Sequence, residues 1–324
     1  MKKALLNSLG RWFGRGVGSS VVSALYIAAD KLVYLQLDAT QRQVRHWQVL
    51  SRPTADQMVA TIQALLKSFA SNIPLCIVMH AEHYQLLQLD KPTVAANEIS
   101  AALPWLVREF TELSAEDIAL DYLDAPLPPN KSQSQIQVVI TALSRWRPLC
   151  DALQQQNIAI VSLQPDEWLV RNLLPKSTDT VLLLTQLPGQ ELSLYIIRQQ
   201  QFYVSRKLRG LPTSSVTASG LAETTRLDSL VLEVQRSMDF FEAQYRQAPV
   251  KEIRLLLPEP EVSMLAQYFQ QNGFTQVKPL TVQPWLASSL QNPQQQAEIT
   301  LYWPALAGAL ELFETEELVD ETQG

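Results

Sequence analysis

The sequence predicts an α/β protein of two lobes, each built on a mixed sheet that opens with a strand meander and continues with helix, strand and helix. Three observations predict it. Strand-like runs come in threes at about residues 21–49 and again at 181–208, joined by short polar turns. Each trio is followed by a helix with a clear apolar face and then a short apolar strand. Within the first lobe, residues 84–157 carry strands and helices of their own and read as an inserted α+β subdomain.

In chain order, residues 1–19 form a basic amphipathic head and residues 20–177 the first lobe. Strands are expected at 21–28, 32–38 and 43–49, the first two meeting in the stretch ALYIAADKLVYLQL with Ala29, Asp30 and Lys31 as the turn. A helix follows, with Thr54 and Gln57 placed as a capping box and Met58, Ile62, Leu65, Leu66 and Phe69 on one face. Leu75 to Met79 then reads as a buried strand. Inside the insertion, IALDYLDA and IQVVITAL form strands on either side of PLPPNKSQSQ, a polar, proline-rich loop. Trp146 to Gln156 is a helix and Ile158 to Leu163 a strand, after which Pro165 opens a further helix where its missing amide costs least.

The second lobe, residues 178–313, repeats the order. Val181–Thr185, Leu192–Arg198 and Phe202–Leu208 form its meander, followed by a long helix, the strand EIRLLL and the helix EVSMLAQYFQQNGF. On the long helix Leu227, Leu230, Val231, Val234, Met238, Phe241 and Tyr245 share one face, while Glu233 with Arg236 and Glu242 with Arg246 are spaced to pair on the other. Residues 314–324 are an acidic tail.

Composition narrows the function. With 324 residues, 47% of them hydrophobic, the chain can bury the core that two lobes need. Its net charge of −6 comes with no basic stripe in the body, which argues against nucleic acid, because neutralising phosphate takes clustered Lys and Arg. Apolar runs fall far short of the roughly 20 residues that span a bilayer, and Met1 to Arg15 lacks the continuous apolar core of a signal peptide, so a cytoplasmic location is expected. Cys76 and Cys150 read as small buried hydrophobes. HAEH at His80 to His83 has no further ligand nearby to complete a metal site, and reads as a solvated strand connection. The head is distinct: Lys2, Lys3, Arg11 and Arg15 flank Leu5, Leu6, Leu9, Trp12 and Phe13 at helical spacing, the pattern of a segment that lies on an anionic membrane surface.

The repeated order of elements describes the actin-like fold, a ribonuclease H-like duplication, and LDSLVLEVQRSMDFFEAQYRQAPVKEIRLLL at 227–257 makes the resemblance specific. This run resembles the PilM family, actin-like proteins of type IV pilus assembly, with Glu233, Gln235, Arg236, Ser237, Asp239 and Phe240 carrying the motif. ALPWLVREFTELSAEDIALDYLD resembles that family's insertion, and LYWPALAGALEL its closing helix. The glutamine-rich, glycine-poor form of the pattern is most similar to the MshI branch, from mannose-sensitive haemagglutinin (MSHA) pilus systems.

The resemblance also shows what this chain lacks. Nucleotide binders of the family read approximately GxDIGxxxxK at the first hairpin, where the Asp orders metal and water and the Gly lets backbone amides approach phosphate. Here Tyr26 takes the Asp position, Ala28 the Gly position and Val33 the Lys position. The second hairpin offers Gly189 beside Pro188 and no acid before the turn. Where a glycine run should follow EIRLLL, the sequence reads PEPEV: Pro258 has no amide to donate, and Glu259 and Glu261 repel polyphosphate. Residues 19–188 contain no glycine at all, where average usage of about 7% would place roughly 12.

The expectation is therefore a non-catalytic adaptor, a pseudo-ATPase without cofactor or metal, peripheral on the inner face of the inner membrane. A working nucleotide-binding ATPase and a peripheral lipid-binding protein are the alternatives. The family holds the cytoplasmic N-terminal tail of PilN, a bitopic inner-membrane protein, in a groove on the first lobe, and the resemblance implies a PilN-like partner here. Candidate anchors in the insertion are Trp105, Leu106, Phe110, Leu120 and Tyr122, or else these residues form the insertion's own core.

Overall fold

The computed structural model describes residues 19–38, 40–69, 72–208, 221–290 and 292–320, and side chains except those of 221–224, 289 and 313–320. The head residues Lys2, Lys3, Leu5, Leu9, Arg11, Trp12 and Arg15, and the side chains of the acidic tail, lie outside that description. The chain divides into two compact units. One comprises residues up to 124, 135–173 and from 304 on; the other comprises 125–134 and 174–303.

The first unit holds β1 (Val21–Ile27), β2 (Lys31–Asp38), β3 (Gln43–Ser51), β4 (Leu75–Met79) and β8 (Ile160–Pro165) in the order β3-β2-β1-β4-β8. The meander is antiparallel, while β4 lies parallel to β1 and β8 parallel to β4. Val22 to Ala28 and all of β4 are buried, as expected of central strands covered on both faces. Helix α1 (Met58–Leu66) buries Ile62, Leu65 and Leu66. The expected capping box is not formed. The Thr54 hydroxyl bonds Asp56 instead, holding that carboxyl below its ordinary range, and α1 starts beyond Gln57 without a side-chain cap.

The insertion is a three-stranded antiparallel sheet in the order β5-β7-β6, made of β5 (Gln85–Asp90), β6 (Ile118–Asp124) and β7 (Gln135–Ala142). Helix α2 (Ile99–Val107) closes its core with Ile99, Leu103 and Val107 against Ile118, Leu120, Ile136, Val138 and Ile140. Helix α3 (Leu143–Gln155) returns to the first sheet's layer, where Gln63 of α1 donates to the Ala152 carbonyl over 3.2 Å. A one-turn helix, α4 (Asp166–Leu169), follows Pro165. Cys76 and Cys150 are both free and buried, and burial pushes the Cys150 thiol up to about 12.

The second unit repeats the first sheet strand for strand. Its strands β9 (Thr180–Thr185), β10 (Leu192–Arg198), β11 (Gln201–Leu208), β12 (Glu252–Leu256) and β13 (Val277–Pro279) lie in the order β11-β10-β9-β12-β13. Again the first three are antiparallel and the last two additions parallel. Helix α5 (Leu221–Tyr245) buries Leu227, Leu230, Val234, Met238, Phe241 and Tyr245 on this sheet, with Val231 at the edge. Each such side chain contributes about 1.5–3 kcal/mol on leaving water. Helices α6 (Glu261–Gln271) and α7 (Pro293–Leu301) complete the unit.

The helix expected to close the second lobe packs elsewhere. Apart from Trp303, α8 (Trp303–Asp320) belongs to the first unit, where Gly308 sits against the sheet. A β-carbon on Gly308 would meet Val78 Cγ2 at 2.5 Å, with Ala24 and Cys76 at 3.4 Å, so only glycine lets this helix approach so closely. Asn172 ties the same helix down, donating 3.0 Å hydrogen bonds to the Ala307 carbonyl and to Glu311. Among the described residues, no helix is long and apolar enough to cross a membrane.

Candidate functional site

At the first hairpin the residues expected to have lost nucleotide binding are engaged with protein groups. Tyr26 lies near the end of β1, buried, and its hydroxyl donates to Asp166 Oδ2 over 3.1 Å. The other oxygen of Asp166 accepts from the Tyr84 hydroxyl, and the carboxylate is fully buried. Two phenols thus satisfy a carboxylate that burial would otherwise make costly. In the turn beyond, the Ala28 amide donates to the Lys31 carbonyl over 3.0 Å, so it is turned into the hairpin.

Arg52, the residue directly after β3, fastens this turn. Its Nη1 donates to the carbonyls of Ala28 and Ala29, each at 3.1 Å, and to Glu82. Its own amide donates to the Asp30 carbonyl over 2.9 Å. A guanidinium sits over the carbonyl side of the turn.

Glu82 leads to the HAEH segment, which corrects the sequence expectation of a solvated connection. His80 and His83 are both buried, the first capping and the second ending a 3-10 turn at Ala81–His83. Arg145 Nη1 contacts His83 Nδ1 at 3.1 Å; a guanidinium can only donate, so Nδ1 accepts and the ring proton sits on Nε2, facing Glu82 at 3.2 Å. Burial pushes the His83 imidazole down to about 4, aided by Arg145 and opposed by Glu82. Burial raises the Glu82 carboxyl, but the Arg52 hydrogen bond and the charges of His83 and Arg52 outweigh it and hold the group below its ordinary range. The Trp146 ring stands edge-on to His83 at 5.7 Å, and its indole donates to the Thr141 hydroxyl, which in turn donates to the His83 carbonyl over 2.6 Å. Sequence spacing gave no sign of this network, because its members come from three separated stretches of chain, at residue 52, at 80–83 and at 141–146.

The positions in the second unit are also closed on themselves. Gly189 takes φ +72° in the turn between β9 and β10, with the Gln190 amide bonded to the Leu187 carbonyl and the Gln186 side chain donating to the Gln190 carbonyl, both at 3.0 Å. After β12, Pro258 and Glu259 lead directly into α6: the Pro258 carbonyl accepts from the Val262 amide at 3.0 Å, and Glu259 accepts from the Ser263 hydroxyl at 2.8 Å. The Pro258 carbonyl and the Glu259 carboxylate are thus both engaged by α6.

The insertion's candidate anchors separate into two groups. Trp105, Leu106 and Phe110 are exposed, at 74%, 39% and 50%, on α2 and the 3-10 turn Arg108–Phe110 that continues it. Leu120 lies in the subdomain core and Tyr122 packs against it, so neither is presented as a surface anchor. Their strand alternation, with one face on α2, decides this. On α5, Arg236 bonds Glu233 at 2.8 Å and Gln235 donates to Asp239 at 2.7 Å, both on the exposed side. Ser237 is fully buried, donating to the Glu233 carbonyl, and Phe240 is half exposed. The expected Glu242–Arg246 pair is absent among the described residues, since α5 ends at Tyr245 and Arg246 turns away at φ +50°.

No family model matches the chain, and no curated protein matches it. Among solved structures it is similar to a chain of a PilM–PilN type IV pilus biogenesis complex, with 17% identity over 90% of this chain and 98% of that one, at a TM-score of 0.62. It is also similar to the cytoplasmic domain of EpsL, an inner-membrane component of the type II secretion system of Vibrio cholerae, with 15% identity over 89% and 95% of the two chains and a TM-score of 0.48. A Bacteroides thetaiotaomicron protein with an actin-like ATPase fold gives 8% identity, 84% and 94% coverage and a TM-score of 0.48. The first likeness, with two sheets of one repeated topology, shows the fold: the chain is actin-like.

Proposed function

We propose that this chain is a non-catalytic actin-like adaptor of type IV pilus biogenesis, of the MSHA type and akin to the MshI branch. It binds the cytoplasmic tail of a PilN-like bitopic protein and works at the inner face of the inner membrane. The observation that carries the reading is the likeness to a chain of a PilM–PilN complex over nearly the whole length of both. The three nucleotide-loop positions support the non-catalytic part: Tyr26 bonded to Asp166, Gly189 in a self-closed turn, and Pro258 and Glu259 bonded to α6. An actin-like ATPase needs backbone amides and an acid free to meet polyphosphate and metal.

Copurification tests the reading. The tagged full-length chain, expressed in its own host and recovered from detergent-solubilised membranes, is expected to retain a single-span pilus protein, and to retain it with nucleotide removed by apyrase. Recovery of the chain without any such protein, or only in the presence of added ATP, overturns the reading.

A further inference from the structure

We infer that the outward face of α2 and the turn after it, carrying Trp105, Leu106 and Phe110, seats a short basic, amphipathic peptide segment. Such a segment is what a single-span membrane protein keeps on its cytoplasmic side. The inference rests on the adaptor reading and adds to it the docking surface and the chemistry of the tail.

Helix α2 already satisfies its subdomain without these residues. Ile99, Leu103 and Val107, at 2% exposure or less, fill the core beneath it. A second apolar face adds nothing to that packing. Seven large hydrophobic side chains are exposed among the described residues, and three of them, Trp105, Leu106 and Phe110, fall on this helix and the turn after it. Isolated exposed hydrophobics are ordinary, but a cluster containing a tryptophan at 74% exposure marks an interaction surface.

Charge selects the occupant. Glu98, Glu109, Glu112 and Glu116 are exposed in the same stretch, against the single guanidinium of Arg108, and among the described residues none of the five forms an ion pair. An anionic membrane surface is repelled by such a rim. A second copy meeting this face by a two-fold axis would set carboxylates against carboxylates. A basic segment is complementary, and cytoplasmic flanks of membrane spans are enriched in Lys and Arg. Apolar residues of the same segment would cover Trp105 and Phe110, the kind of side chain that anchors an interface.

The test titrates the full-length chain against fluorescein-labelled peptides of the cytoplasmic tails of its host's single-span pilus proteins, read by anisotropy. The tail that binds is expected to carry a net positive charge and to weaken at least tenfold from 50 to 500 mM NaCl. Trp105→Ser and the double variant E109K/E112K are each expected to weaken it at least tenfold, with melting temperatures unchanged because these side chains face solvent. A tail that binds wild type and both variants equally overturns this surface while leaving the adaptor reading intact. If no tail binds at about 100 μM, far above a micromolar dissociation constant, both fall. Loss in Trp105→Ser of self-association by sedimentation velocity, or of binding to phosphatidylglycerol–phosphatidylethanolamine vesicles, with tail binding kept, assigns the face elsewhere and overturns the inference. So does a fall of several degrees in the melting temperature of both variants.

Discussion

The Tyr26 hydroxyl, near the end of β1, donates to Asp166 Oδ2 over 3.1 Å, 140 residues further along the chain. With Tyr84 on the other oxygen, Asp166 is held by two phenols in a fully buried setting. Tyr26→Phe removes one of these donors and is expected to cost about 1–3 kcal/mol, the range for losing a hydrogen bond to a buried carboxyl group. Urea denaturation of Y26F, Y84F and the double variant measures it, and a non-additive double mutant shows that the two phenols act on one group.

Magnesium ATP at millimolar concentration is expected to leave the melting temperature unchanged. Ligands raise it only by binding the native state; the Ala28 amide is spent on the Lys31 carbonyl, and Pro258 has no amide to donate. A reproducible, magnesium-dependent rise of several degrees would sink the pseudo-ATPase reading.

Gly308→Ala is expected to destabilise the first unit by about 1–3 kcal/mol, the usual cost of overpacking a filled core. The new methyl group would meet Val78 Cγ2 at 2.5 Å, and Val78 is β-branched, wholly buried and unable to swing aside. Chemical denaturation reads the loss, and an unchanged midpoint would show that α8 shifts freely on the sheet.

Acid should destabilise the first unit through His83. The imidazole is held down to about 4 in the folded chain against an ordinary 6.5, so the unfolded chain takes up the proton first as pH falls. Stability is full above about 6.5 and is lost progressively down to about 4; Glu82, whose folded carboxyl is also depressed, adds a loss in the same direction at lower pH. Arg52, Arg145 and His80 are the other charged or titratable groups acting on His83. In H83Q the slope of stability between pH 6.5 and 4 should flatten, as followed by urea midpoints at half-unit intervals.

Removing residues 1–19 should weaken sedimentation with anionic liposomes and leave the fold intact, because the cut ends ahead of β1 at Val21. The four basic residues and the Leu5, Leu9 and Trp12 stripe carry this expectation. Attachment should also fade in 1 M salt, where the Debye length is about 3 Å. Equal sedimentation of both proteins would count against it.

The alternation of the meanders, the apolar face of α5 and the order of elements are local patterns, repeated every second or every three to four residues. For that reason the sequence alone carried the duplicated α/β architecture, and the loss of glycine from its turns was legible in the same way. The partners of single side chains were not legible. Thr54 has the spacing of a cap but bonds Asp56, and HAEH has the polarity of a surface turn but both its histidines are buried, His83 against Trp146 and Arg145. Leu120 and Trp105 are both apolar residues of the insertion, and only the side of α2 that faces the sheet makes one core and the other surface. Tyr26 and Asp166, or Gly308 and Val78, meet because distant strands and helices converge. Such meetings depend on closing long loops around a particular sheet order, which periodicity along the chain does not encode.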